Sequence, residues 1–204
     1  STAFCPLAPR ARLPLWAAPR RVLSGARPCE RSRKLLGGAT VGGRRRVAAT
    51  TIKSTKDFGK KVPRFHVLRR AHVNITPMVQ ATASPSMTYG VETAGVSNAQ
   101  LMRMRSITAK AIAPEACGKN PDLVLHTVDA AGSTIDPAFS ARAQPLRFWA
   151  LAIWQSWVSR DTIESAFAAA HARLHCGKCP LWSKVNGPAT ALLATMWRIG
   201  WTVV

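Results

Sequence analysis

Charge is spread so unevenly along these 204 residues that the two ends of the chain cannot fold alike. Residues 1–70 carry 18 Lys and Arg against two acids, Glu30 and Asp57, whereas residues 71–204 carry 11 against seven. A stretch of like charges with few apolar side chains repels itself and lacks the surface to bury a core. The remainder is a foldable body. Trp149, Trp154, Trp157, Trp182, Trp197 and Trp201 all fall in the last 60 residues, and the core is expected there. The expected fold is mainly α, a helical bundle with a disordered basic N-terminal arm. It divides into an Arg/Pro-rich arm over 1–34, a basic Gly-turn and helical segment over 35–76, and a Trp-rich bundle over 77–204.

Several classes are disfavoured. The longest apolar run, Phe148 to Trp154, is seven residues, far short of the ~18–20 a membrane span needs. The charged, proline-broken N-terminus has no apolar core of a secretory signal. Five cysteines at irregular spacing argue against a secreted disulfide scaffold and for a reducing compartment. A pI near 11.4 points to a polyanionic partner.

Along the chain, Pro6, Pro9, Pro14, Pro19 and Pro28 recur too often for a helix. Residues 35–46, LLGGATVGGRRR, read as turns at the two glycine pairs. They are not a phosphate-binding loop, because no Lys-Ser/Thr follows the last glycine. Between 47 and 76, Phe58, Val62, Phe65 and Leu68 give a partial helical spacing interrupted by Pro63. One basic helix or two short ones are expected, with Lys53, Lys56, Lys60, Lys61, Arg64, Arg69 and Arg70 on the solvent side and suited to phosphate contact, Arg44, Arg45 and Arg46 assisting.

Farther on, Pro77 suits a helix start, and Pro85 is expected to divide the segment that follows. Ser97 or Asn98 caps a helix through Leu101 to Ile112. Residues 114–135 read as a loop containing the short apolar piece Leu123–Val128. Asp136–Pro137 is a helix start, and Pro145 is expected to begin another. There Leu146, Trp149, Ala150, Ile153, Trp154 and Trp157 recur at i, i+3, i+4, i+7, i+8 and i+11, the strongest helical period in the chain, and read as a core stripe rather than a base-stacking platform. Asp161-x-x-Glu164 reads as a capping box. Gly177 ends that helix, and Gly187–Pro188 opens the last, with Leu192, Leu193, Met196 and Trp197 facing inward. In all, five or six helices are expected around the tryptophans.

No nucleophile or acid-base set stands out. His171, His175, Cys176 and Cys179 are zinc-ligand types, but adjacent His175 and Cys176 point to different sides, so a surface helix end is preferred and no metal is expected. Asp129 and Asp136 read as turn and cap residues.

The landmarks LLGGATVGGRRR, PRFHVLRRA, ASPSMTYGVETAGVS, DPAF, RFWALAIW and PLWSKVNGPATALLATMWRIGW, in that order, resemble the region after the palm in non-LTR (LINE-like) retrotransposon reverse transcriptases. The resemblance covers residues 32–204. It implies that Leu36–Gly37 is the remnant of the hairpin closing the palm, that Tyr89, Gly90 and Glu92 form a thumb segment, and that helices follow. It also implies a fragment: the family's aromatic-Ala-Asp-Asp motif lies upstream of that hairpin, and residues 1–34 contain no Asp. Ala94 stands where the family often has an aromatic.

The function expected is therefore nucleic-acid-backbone binding without sequence reading, as a thumb-like fragment gripping RNA or an RNA–DNA duplex. It is not catalytic alone, needs no cofactor, and is placed in the nucleus. The rival is an organelle-targeted structural protein whose basic presequence is cleaved and whose body docks into a larger assembly.

Overall fold

The computed structural model describes residues 32–35, 38–41, 46, 48–113, 120–128 and 135–201. The expected arm over 1–34 lies outside these residues as far as position 31, as do Arg44, Arg45 and Asp129. Two short strands, β1 (Ser32–Leu35) and β2 (Gly38–Val41), pair antiparallel with Leu35 opposite Gly38. Leu36 and Gly37, expected as the hairpin remnant, lie outside the described residues. Gly38, expected in a turn, begins β2.

From residue 49 onward the described chain is helical. Helices α1 (Ala49–Gly59) and α2 (Val62–Arg70) are the two short basic helices, with Pro63 in the first turn of α2 where its missing N–H costs nothing. There follow α3 (Thr76–Thr88), the single turn α4 (Val91–Ala94), α5 (Asn98–Ile112), α6 (Pro121–Val128), α7 (Pro137–Trp154), α8 (Arg160–His175), the single turn α9 (Leu181–Lys184) and α10 (Pro188–Arg198).

Local chemistry explains many of the boundaries. Ser97 caps α5 in a reciprocal capping box with Gln100. The Asp136 carboxylate accepts from the Ala138 N–H at the start of α7, at 2.8 Å. Three helices end in the same 6→1, 5→2 pattern of backbone bonds. After α2, Val73 donates to Leu68 and His72 to Arg69. After α7, Trp157 donates to Ala152 and Ser156 to Ile153. After α10, Trp201 donates to Met196 and Gly200 to Trp197. The residue at the left-handed position is glycine only in the last, Gly200; His72 (φ 58°) and Ser156 (φ 51°) take it at a steric cost.

Four expectations are corrected. Pro85 does not divide a helix: α3 runs through it, with the Pro85 ring on the exposed face, while Val79, Ala83, Met87 and Thr88 anchor both sides in the core. Pro145 likewise lies inside α7, itself buried between Ala141 and Trp149. In both, packing outweighs the lost backbone bond. Residues 121–128 are helix α6, not loop; Asn120 Oδ1 accepts from the Asp122 N–H at 2.9 Å just ahead of it. Helix α8 is not capped by Asp161. It starts after Ser159, whose backbone is extended, and Asp161 sits in its first turn.

The core too is placed differently. The main cluster holds Phe58, Phe65, Ile75, Val79, Met87, Val96, Met104, Leu125, Ile135 and their neighbours, with no tryptophan among its buried members. Phe58, Phe65 and Ile75 come from the basic segment, so the basic helices share one core with α3, α5, α6 and α7. A smaller cluster is formed by Ala170, Leu174, Val185, Ala191, Leu193 and Ala194, with Trp182 and Trp197 partly buried against it. Of the proposed tryptophan stripe, only Trp149 is buried. The buried face of α7 is Ala138, Ala141, Pro145, Trp149 and Ala152, which leaves Ile153, Trp154 and Trp157 facing outward.

Arginines tie these parts together. Arg105 reaches both carboxylate oxygens of Asp136 at 3.0 Å and pairs with Asp122, joining α5, α6 and α7. Arg198, on α10, donates to the Val96 carbonyl and stacks 3.9 Å over the Trp182 ring. Burial lowers the Arg198 pKa to about 10, with the charges of Arg142 and Arg46 acting in the same direction.

Candidate nucleic-acid interface

Helix α1 is two-faced. Thr51, Thr55 and Phe58 recur at i, i+4 and i+7 and are buried. Lys53, Lys56 and Lys60 stand on the opposite side, and all three are exposed. Lys61, Arg64, Arg69 and Arg70 continue the exposed basic series along α2. Asp57 is the only acid in residues 31–91. Lys60 Nζ lies 2.9 Å from its carboxylate and holds that carboxyl below the usual carboxylate range.

The arginines and lysines do not all serve the same end. Arg69 donates to the Ile112 carbonyl, and His66 Nε2 lies 2.9 Å from the Lys110 carbonyl. These two side chains therefore satisfy the C-terminal carbonyls of α5, which have no partner within the helix, and fasten α2 to it.

Arg46 requires a larger correction. Expected beside the phosphates, it turns inward. Its Nε donates to the Ala94 carbonyl at 2.8 Å and its Nη2 to the Gly95 carbonyl at 2.7 Å and to Gln100 Oε1 at 2.6 Å. Burial lowers its pKa to about 10. Neutral carbonyls satisfy a guanidinium's donors without cancelling its charge, so Arg46 is a structural clamp rather than a surface charge.

Two exposed basic residues on α5 were not among those expected. Arg103 and Lys110 lie i, i+7 apart on the outer side of α5, opposite buried Leu101, Thr108 and Ile112. Arg103 lines a cleft of about 150 Å³ against Thr51, Ile52 and Thr55 of α1. Their signal was present: both fall off the apolar stripe of the predicted helix.

Tyr89 closes α3 with its ring exposed, Gly90 turns the chain at φ 78°, and Glu92 sits in the first turn of α4. A positive φ at that turn explains glycine there. The three residues line one wall of a groove of about 330 Å³ whose other wall is α7, with Gln144, Arg147, Phe148 and Leu151. A separate cavity of about 540 Å³ is lined by Arg105, whose guanidinium is paired with Asp122 and Asp136 on the same walls.

His171 and His175 meet on one face of α8, Nε2 to Nε2 3.1 Å, with His175 packed edge-on against Trp197. Cys176 and Cys179 are free and exposed. Among the described residues no group of three or more His, Cys, Asp or Glu is placed to hold a metal ion. No described helix is long and apolar enough to cross a membrane.

The chain matches no protein-family model, no curated protein and no solved structure.

Proposed function

We propose that this chain grips nucleic-acid backbones without reading sequence, as a thumb-like part of a retroelement reverse transcriptase that does not catalyse polymerisation by itself. The observation that carries this reading is the exposed series Lys53, Lys56, Lys60, Lys61, Arg64 and Arg70 along two packed helices with a single acid, Asp57, among them. Fixed cations on a rigid scaffold neutralise phosphates and release counterions. The order of motifs over residues 32–204 supports assigning the scaffold to the reverse-transcriptase class.

Salt dependence tests the reading. Six phosphate contacts on a duplex give a log–log slope of affinity against salt of about −5. Replacing Lys53, Lys56 and Lys60 together by Ala brings it to about −3. A slope near zero, or one unmoved by the triple variant, overturns the proposal.

A further inference from the structure

Trp154 is 87% exposed and Trp157 54%, next to Ile153 and Val158, both also exposed. Large apolar side chains clustered at a surface mark a contact site more often than an accident of folding. The Trp157 ring is held in place. Trp157 follows the left-handed Ser156, its N–H bonded to Ala152, and its ring meets Phe148 edge-on at 5.8 Å. Trp154 shares a helix face with Leu151 and Arg147, at i, i+4 and i+7. Arg147, Phe148 and Leu151 also line the 330 Å³ groove, across which the Tyr89 ring is 57% exposed.

We propose that this groove and the two tryptophans form a stacking track for single-stranded nucleic acid, separate from the basic face of α1 and α2. Flat π faces take unpaired bases of any sequence, and a neighbouring guanidinium takes the phosphate between them. Arg147 is exposed and has no acid on its own face of α7. Glu92, on the facing wall, is an acceptor for the exocyclic amino groups of bases. Charge favours this occupant over a basic protein surface, because residues 71–204 still carry 11 Lys and Arg against seven acids. The inference rests on the reading that the chain's polyanion is a nucleic acid, and it specifies a strand type and a place.

The experiment uses the full chain, an unstructured oligo(dT) and a duplex of equal length, with tryptophan fluorescence and anisotropy read across a salt series. Stacking predicts quenching on oligo(dT) that persists at high salt. It also predicts a roughly ten- to hundredfold loss of single-strand affinity in Trp154→Ala or Trp157→Ala, with duplex affinity unchanged. Trp154→Phe should recover part of the loss, and far-UV circular dichroism checks that each variant is folded. Single-strand affinity that falls with the lysine triple variant but not with Trp154→Ala overturns the track and leaves the basic-face reading standing. Absence of binding to either probe overturns both. A concentration-dependent dimer abolished by Trp154→Ala would show that a second copy covers the patch, and would also overturn the track.

Discussion

The main core and the tryptophan-rich end of the chain are built on opposite terms. The first is closed by residues such as Phe58, Val79, Met87 and Met104, none more than 2% exposed, and the outer faces of α1, α2 and α5 around it carry exposed Lys and Arg. The second holds six tryptophans, yet only Trp149 is buried, and it packs on Phe167 with ring centroids 4.8 Å apart. Hydrophobic content and hydrophobic burial are thus separated in sequence. Small side chains at a regular spacing let helices approach closely, whereas a bulky ring that finds no opposing element stays in water.

The contrast can be broken most forcefully at Phe58. Phe58→Ala empties the space between α1 and its neighbours and is expected to cost about 3–5 kcal/mol, read as a shift of the denaturant midpoint. A loss below about 1 kcal/mol would place the structural core elsewhere. The next effect is smaller and of opposite sign. Ser156→Gly relieves the left-handed backbone at the end of α7 and should stabilise the tryptophan-rich end by about 1 kcal/mol, seen as a higher melting temperature. Smallest of all, Trp154→Ala should leave stability within about 0.5 kcal/mol of the parent. A cost of 2 kcal/mol there would mean that the ring is packed, and the two regions would no longer differ.

The legible parts of the fold were those set by neighbours in sequence. Ser97, Asp136 and Gly187–Pro188 begin helices because a cap needs only the next few residues. Pro85 and Pro145 misled because the helices through them are held by packing, which has no local signature. The stripe from Leu146 to Trp157 had the right period and the wrong phase: the face that is buried is lined mainly by alanines and Pro145, which carry a weak hydropathy signal. At the basic face, the exposure of Lys53, Lys56 and Lys60 followed from helical geometry. The withdrawal of Arg46 did not, since its carbonyl partners lie 48 and 49 positions away.

Arg46 and Arg198 converge on one short loop, the first on the carbonyls of Ala94 and Gly95, the second on that of Val96. Gly95, at φ 61°, leaves no room for a side chain there, because a Cβ would come within 2.9 Å of Trp182. One of the three carbonyls is therefore held by a side chain 102 positions farther along the chain. Contacts of such separation slow folding, because the intervening chain must be ordered before they form. The loop is thus a clasp between distant parts of the sequence: without α10 the Val96 carbonyl would lose its guanidinium and the Trp182 ring its cover.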